Sequence, residues 1–369
     1  MGTPTQTGTQ ASKKDANKTA AQRSGLWPKL LISILLGALF AWIAERGGVP
    51  IFPKPSSFQH VAWPWVLVSA LLLFVLTVLR ATRWRFLIAP VKRLPLREVV
   101  LLNWVGFFAI FALPLRLGEL ARPAVSKLRA GIPISAGLGT VAVERVLDGA
   151  ITSSCVAWAL WALPRLATTD PIARAVPFYV GVVLAVFICA MCALAAFLWQ
   201  RDFAVRLTER VFALISPQLG STLARKVDSV ADGIRSIAEP KLAFGFVLET
   251  SLYWAINACF MWVLGRACGL PMELGHAVAV MGVLALGILL PSGPGLFGSF
   301  QVAVSAALKL YFPEQLVSTQ GSVFVFLLYA LNALMMIAIG VIPLLRMHIG
   351  LTDLIAPRIG ESELPPPRH

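Results

Sequence analysis

The chain has 369 residues, 57% of them hydrophobic and 14% charged, with a mean hydropathy of +0.77 and a formal net charge of +14. A soluble domain carries about a quarter charged residues, so this composition excludes a soluble globular fold and indicates an integral membrane protein. The basic excess lies in connections between apolar stretches, where it orients a membrane protein, and no basic patch on a soluble domain supports nucleic acid as a partner.

Residues 1–25 are rich in Thr, Gln, Ala and Lys without apolar periodicity and read as a disordered cytoplasmic tail. The first apolar stretch starts too late for a secretory signal peptide. Residues 26–348 read as a single transmembrane domain, and 349–369 as a second cytoplasmic tail. A first span is expected over Trp27–Ala44 and a second over Val61–Leu79. The basic, aromatic stretch Arg80–Leu87 then suits a segment lying at headgroup level.

Val99–Ala112 is an apolar run of about 14 residues, roughly 21 Å of helix, short of the roughly 30 Å hydrocarbon core. It ends in a break, Leu113-Pro114-Leu115-Arg116-Leu117-Gly118-Glu119-Leu120-Ala121-Arg122-Pro123, with Pro114 and Gly118 as hinges. A third span, Ser135–Leu163, carries Glu144, Arg145 and Asp148 inside apolar sequence. A fourth covers Val176–Trp199. Residues 201–240 hold two amphipathic helices: Phe203, Leu207, Val211 and Leu214 recur at helical spacing, then Leu223, Val227, Val230, Ile234 and Ile237. Both are expected on the cytoplasmic surface. A fifth span covers Leu242–Leu264. Met272–Leu290 follows, then a second break hinged at Pro291, Gly293, Pro294, Gly295 and Gly298, then Phe300–Leu310 and a last span, Ser322–Leu345.

The two breaks sit in similar surroundings. Leu94-Pro95 precedes Leu113-Pro114 by 19 positions, and Leu270-Pro271 precedes Leu290-Pro291 by 20. Three full spans separate the units, an odd number, so the second enters from the opposite side. The expected fold is therefore an all-α polytopic membrane protein. It has about six full spans and two oppositely oriented re-entrant hairpins, about 95–130 and 271–312, in an inverted repeat. With both termini cytoplasmic, inner segments hold about 25 Lys and Arg and outer ones about six, a positive-inside pattern.

Non-helical backbone at membrane depth is tolerated where it lines a wet cavity or is buried in protein, so two opposed hairpins define a candidate site. Arg116 and Arg122 offer charge-assisted donors to a phosphate, and Glu119 pairs with one of them. Half-helix N-termini add N–H groups, with Ser299 expected as the cap before Phe300-Gln301. Glu144, Arg145 and Asp148 share a helical neighbourhood; a substrate or proton role and a structural ion-pair knot both fit them. Glu249, with Asn257 two turns on, is a candidate proton relay. The five cysteines, including Cys189-x-x-Cys192, read as small buried side chains, and the four scattered histidines form no metal or nucleophile constellation. No cofactor is expected, and there is no nucleotide-binding loop.

Several motifs resemble the lysylphosphatidylglycerol synthase transmembrane-region family: Arg83-Trp84-Arg85-Phe86-Leu87, Pro114–Pro123, Glu144-Arg145-Val146-Leu147-Asp148 and Pro291–Gln301. The resemblance covers roughly 27–345. It implies a flippase-like protein of the bacterial inner membrane that moves or presents a polar phospholipid or glycolipid headgroup. A position often acidic in that family is Gln301 here. The soluble aminoacyl-transfer domain of its bifunctional members has no counterpart in this sequence, so no enzymatic activity is expected. The expected partners are membrane lipids, a membrane enzyme and further copies of the chain. The alternatives are a non-transporting scaffold for a lipid-modifying or glycosyl-transferring enzyme and an enzyme of lipid-linked transfer.

Overall fold

The computed structural model describes residues 31, 34, 35, 37–40, 42, 46, 52–113, 118–214, 216–234, 238–289 and 293–347. Both tails, parts of the first expected span, and Pro114, Arg116 and Pro291 lie outside them. Every regular element among the described residues is helical. In chain order these are α1 (Trp63–Thr82), α2 (Trp84–Ile88), α3 (Leu96–Ala112), α4 (Ala121–Ala130), α5 (Ile134–Ala162) and α6 (Pro171–Trp199). The second half holds α7 (Arg201–Ala213), α8 (Pro217–Ile234), α9 (Pro240–Ala267), α10 (Leu274–Gly287), α11 (Ser299–Lys309) and α12 (Ser322–Met347).

Four described stretches are long and apolar enough to cross a membrane: Trp63–Ile88, Pro171–Trp199, Pro240–Ala267 and Glu314–Pro343. The 29-residue α5 has the length as well, but Glu144, Arg145 and Asp148 interrupt its hydropathy. α1 packs on α9, α3 on α12, and α5 against α6, α8 and α10. A large apolar cluster joins α1, α9, α10, α11 and α12, and a second one surrounds α2, α3 and α4. α6 contributes little to either and shows apolar side chains outward on most of its length. Cys189 and Cys192 are on that outer surface, so the expectation that they are buried is corrected; Cys268 is the buried cysteine.

After each break the described chain packs against the helix before it. α3 stops at Ala112 with Leu113 extended. On the return, a Cβ added at Gly118 would lie 2.1 Å from the Ala109 carbonyl, and one at Gly106 would lie 2.8 Å from Arg122 Cβ. Positions 118 and 122 thus pass 109 and 106 in reverse order, so α4 runs antiparallel to α3. Only hydrogen fits at these two crossings. α4 ends on Gly131 in the left-handed region, whose N–H bonds the Lys127 carbonyl. In the second unit, a Cβ at Gly287 of α10 would lie 2.4 Å from Ala303 of α11. The turn between them uses Gly295 and Gly298 at φ of 72° and 88°. The tips also meet: Gly295 lies against Phe111 of the first unit and the Tyr329 hydroxyl of α12.

Two expectations about polar segments are corrected. Arg80–Leu87 does not lie along a surface: α1 continues through it nearly unbroken into α2, and Arg83, Trp84 and Leu87 are buried. α8 is not simply a surface helix. It is docked along the first half of α5, with Gly139 meeting the Val230 carbonyl, Gly233 meeting the Ala136 carbonyl, and Ser135 hydrogen-bonded to Ser229 at 2.7 Å.

At the far end of α5, Asp170 ties two elements together. It caps α6 by accepting from the N–H groups of Ile172 (2.9 Å) and Ala173 (3.0 Å), and pairs with Lys309 at the end of α11. Burial pushes the Asp170 carboxyl up, but the Lys309 hydrogen bond, the two N–H groups and the Lys309 charge outweigh it and hold the carboxyl below the ordinary range. An unfolded aspartate titrates near about pH 3.9. The stabilisation is therefore present above about pH 4 and is lost as pH falls through the lower folded value. Asp170→Asn is expected to flatten the acid limb of the thermal-unfolding midpoint against pH; an acid limb identical to wild type would show that the pair contributes nothing.

Candidate functional site

The charges of α5 meet a cation that the sequence reading had placed at the surface. Arg83, at the junction of α1 and α2, is fully buried. Its guanidinium grips Asp148 with two parallel bonds, Nη1 to Oδ1 at 2.7 Å and Nη2 to Oδ2 at 2.6 Å. Nη2 also reaches Glu144 Oε1 at 3.0 Å, and Nη1 approaches Thr250 Oγ1 at 3.4 Å. The aromatic rings of Tyr253 and Phe246 lie 4.8 and 5.7 Å from the guanidinium carbon. Trp254 Nε1 donates to Asp148 Oδ1 at 3.1 Å. Helical spacing brings Glu144 and Asp148 to one face of α5, and α9 supplies Thr250, Tyr253 and Trp254 on the opposing face.

Glu144 is the bridge. Its second oxygen, Oε2, accepts from Arg122 Nη2 at 2.6 Å. Arg122 Nη1 donates to Asn103 Oδ1 at 2.8 Å, and Asn103 Nδ2 donates in turn to the Val99 carbonyl at 2.8 Å. The Arg122 guanidinium lies 5.5 Å from the Trp84 ring, whose Nε1 donates to Thr140 Oγ1 at 3.0 Å. Two arginines and two carboxylates from the α1–α2 junction, α4 and α5 thus form one neutral chain in the buried interior. Charges there are tolerated because the Arg83–Asp148 geometry is bidentate and further hydrogen bonds support it, although Arg83 Nε has no partner among the described residues.

This arrangement revises one of the expected pairings. Glu119 was expected beside Arg116, which lies outside the described residues, or beside Arg122. Arg122 is instead engaged by Glu144 and Asn103, and Glu119 lies 3.9 Å from Arg145 Nε. Arg145 thus lies beside Glu119, while both Asp148 oxygens are taken by Arg83. Glu119 and Arg145 are each about a quarter exposed. With Gly106, Phe107, Ile110, Arg122 and Val141 they line a cavity of about 10 Å³ between α3, α4 and α5, about one water in size. On the other side of α3, Leu96, Arg97, Val100, Leu101 and Trp104 join Ile342 around an apolar groove of about 310 Å³.

The second break is built without charge. Ser299 is the first helical residue of α11 rather than its cap, and its hydroxyl donates to the Leu296 carbonyl at 3.2 Å. Gln301 does the capping: its Oε1 accepts from the Gly298 N–H at 2.7 Å. A long amide at the third position reaches back to that N–H, as in a capping box. Both residues are buried in local bonds. Glu249 is paired with Arg85 and accepts from Thr82 Oγ1 at 3.1 Å. Among the described residues no group of three His, Cys, Asp or Glu is arranged to hold a metal.

No curated protein and no solved structure matches the chain. Residues 30–340 match the family described as the lysylphosphatidylglycerol synthase TM region. That match spans most of the sequence and includes the helix-break-helix units and the Arg83–Asp148–Glu144–Arg122 chain. The protein is a multi-pass membrane protein of the lysylphosphatidylglycerol synthase transmembrane-region family.

Proposed function

We propose that this protein is a flippase-like lipid translocase of the bacterial inner membrane, with both termini cytoplasmic, that takes a polar phospholipid or glycolipid headgroup between two opposed re-entrant hairpins. The observation that carries this reading is the meeting of the two hairpin tips, Phe111 against Gly295, in a fold whose first hairpin also contributes Arg122 to a buried charge chain. Interrupted helices in corresponding positions of two halves mark the substrate site of many transporters. The close contacts within the hairpins, Gly106 with Arg122 and Gly287 with Ala303, each join positions sixteen apart, which supports an inverted repeat. Glu119 and Arg145, each about a quarter exposed at the small cavity, would meet the headgroup, and the apolar groove beside Trp104 suits an acyl chain. Arg122 and Glu144 exchange partners when the headgroup phosphate enters, and Arg83–Asp148 holds the helices together meanwhile. The chain catalyses no covalent step in this reading.

The test is reconstitution into vesicles carrying fluorescent anionic, zwitterionic or glycolipid probes, with inward and outward movement followed by chemical quenching. Wild type is expected to accelerate movement of at least one probe. E119Q/R145Q should slow it about tenfold or more, the worth of one charge-assisted hydrogen bond. No acceleration of any probe would sink the reading. The closed, fully bonded chain at Glu144 favours a second one, a non-transporting subunit of a lipid-modifying or glycosyl-transferring enzyme. Under that reading E119Q/R145Q leaves lipid movement unchanged and lowers recovery of a co-purified membrane enzyme.

A further inference from the structure

α7 has two faces with different occupants. One is held by α8: Arg201 binds Asp228 at 2.9 and 2.7 Å through Nε and Nη2, and Asp232 at 2.9 Å. The other carries Phe203, Leu207, Val211 and Leu214, which are 57%, 47%, 47% and 88% exposed. Their spacing of four, four and three makes one continuous stripe. No described helix covers it.

Position and charge identify the occupant. α7 begins two residues after Trp199, the outward-facing end of the span α6, so its stripe continues the lipid-facing surface of that span at the membrane border. Arg206 and Arg210 are exposed and each precedes a stripe residue by one position, about 100° round the helix. They therefore line one edge of the stripe. Asp202 begins that same edge one turn before Arg206, Glu209 lies farther round, and the edge keeps a net positive charge toward the C-terminal end of α7. An apolar stripe edged by guanidinium groups is the pattern of a helix lying in the interface of an anionic leaflet. A neutral surface would use the apolar stripe alone.

We propose that α7 docks on anionic lipid headgroups through Arg206 and Arg210, with Phe203, Leu207, Val211 and Leu214 inserted beneath them. The helix matters beyond anchoring, because α8 connects it rigidly to the half of α5 that leads to Glu144. Gly139 meets Val230, and Gly233 meets Ala136, at backbone contact.

The experiment places an environment-sensitive fluorophore at Leu214→Cys, in a chain whose five native cysteines are replaced by alanine. Its reduction by aqueous dithionite is timed in phosphatidylcholine vesicles with and without phosphatidylglycerol. Anionic lipid is expected to slow reduction, and 0.5 M salt to restore the fast rate. R206Q and R210Q should each weaken the protection about fivefold. Equal rates in the two lipids, or protection that survives R206Q/R210Q, would overturn the proposal and leave another protein chain as the occupant. Native mass spectrometry of the chain with its cysteines intact gives a second reading. The wild type should retain more phosphatidylglycerol than R206Q/R210Q, and equal retention counts against the proposal whether or not the cysteine-free chain folds.

Discussion

Replacing Arg83 by alanine is expected to abolish recovery of folded protein in mild detergent, or to lower its thermal-unfolding midpoint more than any other single arginine substitution. The reason is what it leaves behind. Asp148 loses both bidentate bonds and Glu144 loses one, within an interior from which water is excluded. Breaking a buried pair from one side costs about 3–5 kcal/mol, a large fraction of the 5–15 kcal/mol that holds a typical domain together. Arg83→Lys should fall in between, since an ammonium keeps the charge but cannot make the fork that matches a carboxylate. Arg85→Ala, two residues on, is the control. Its pair with Glu249 is 38% exposed on the arginine side, and such pairs contribute at most about 1 kcal/mol. The measurement is a detergent unfolding series monitored by tryptophan fluorescence. Equal midpoints for Arg83→Ala and Arg85→Ala would refute the account of the charge chain given above.

Why Arg83 escaped the sequence reading is instructive. Arg80–Leu87 follows a long apolar run and alternates arginine with aromatics, the composition of a segment lying at headgroups. Only the fold brings Glu144 and Asp148, more than sixty positions away, against it. One signal was available: Glu144 and Asp148 outnumber the arginine between them, so at least one more cation had to come from elsewhere, and the fold supplies two, Arg83 and Arg122. Arg122 was one of two candidate partners for Glu119 on proximity in sequence, and proximity across α4 and α5 gave it to Glu144 instead. The helices from α5 onward were legible, to within about five residues at their ends, because length and hydropathy set them. The breaks were legible because prolines and glycines cluster there with charges, a combination that strongly disfavours continuing a helix. The capping of α11 was misread for a steric reason: glycine at position 298 takes a positive φ, which shifts the cap one residue back, and Gln301 then has the reach that Ser299 lacks. The docking of α8 was hidden because small residues on α5 read as neutral filler until Gly233 is seen opposite them.

The second large effect separates a lock from a binding site. Glu144→Leu alone removes the acceptor that Arg122 and Arg83 share, leaving Arg122 with Asn103 as its remaining hydrogen-bonded partner. It is expected to cost about 3–5 kcal/mol of stability. Adding Arg122→Met removes the stranded cation as well. Arg83 and Asp148 remain as a neutral bidentate pair, and the former ion pair becomes apolar surface of similar length. Replacing a buried pair by well-packed apolar groups is often neutral, so R122M/E144L should recover most of the stability lost by Glu144→Leu. The non-additivity should be on the order of 2–3 kcal/mol, within the range found for directly coupled residues. Lipid movement then discriminates. If Arg122 and Glu144 serve only to fasten α4 to α5, the refolded double variant moves lipid like wild type. If they exchange partners with a headgroup, it is folded, stable and inactive, because a methionine and a leucine offer a phosphate nothing to bind. The partner-exchange step requires the second outcome, and a stable, fully active double variant would confine the site to Glu119 and Arg145.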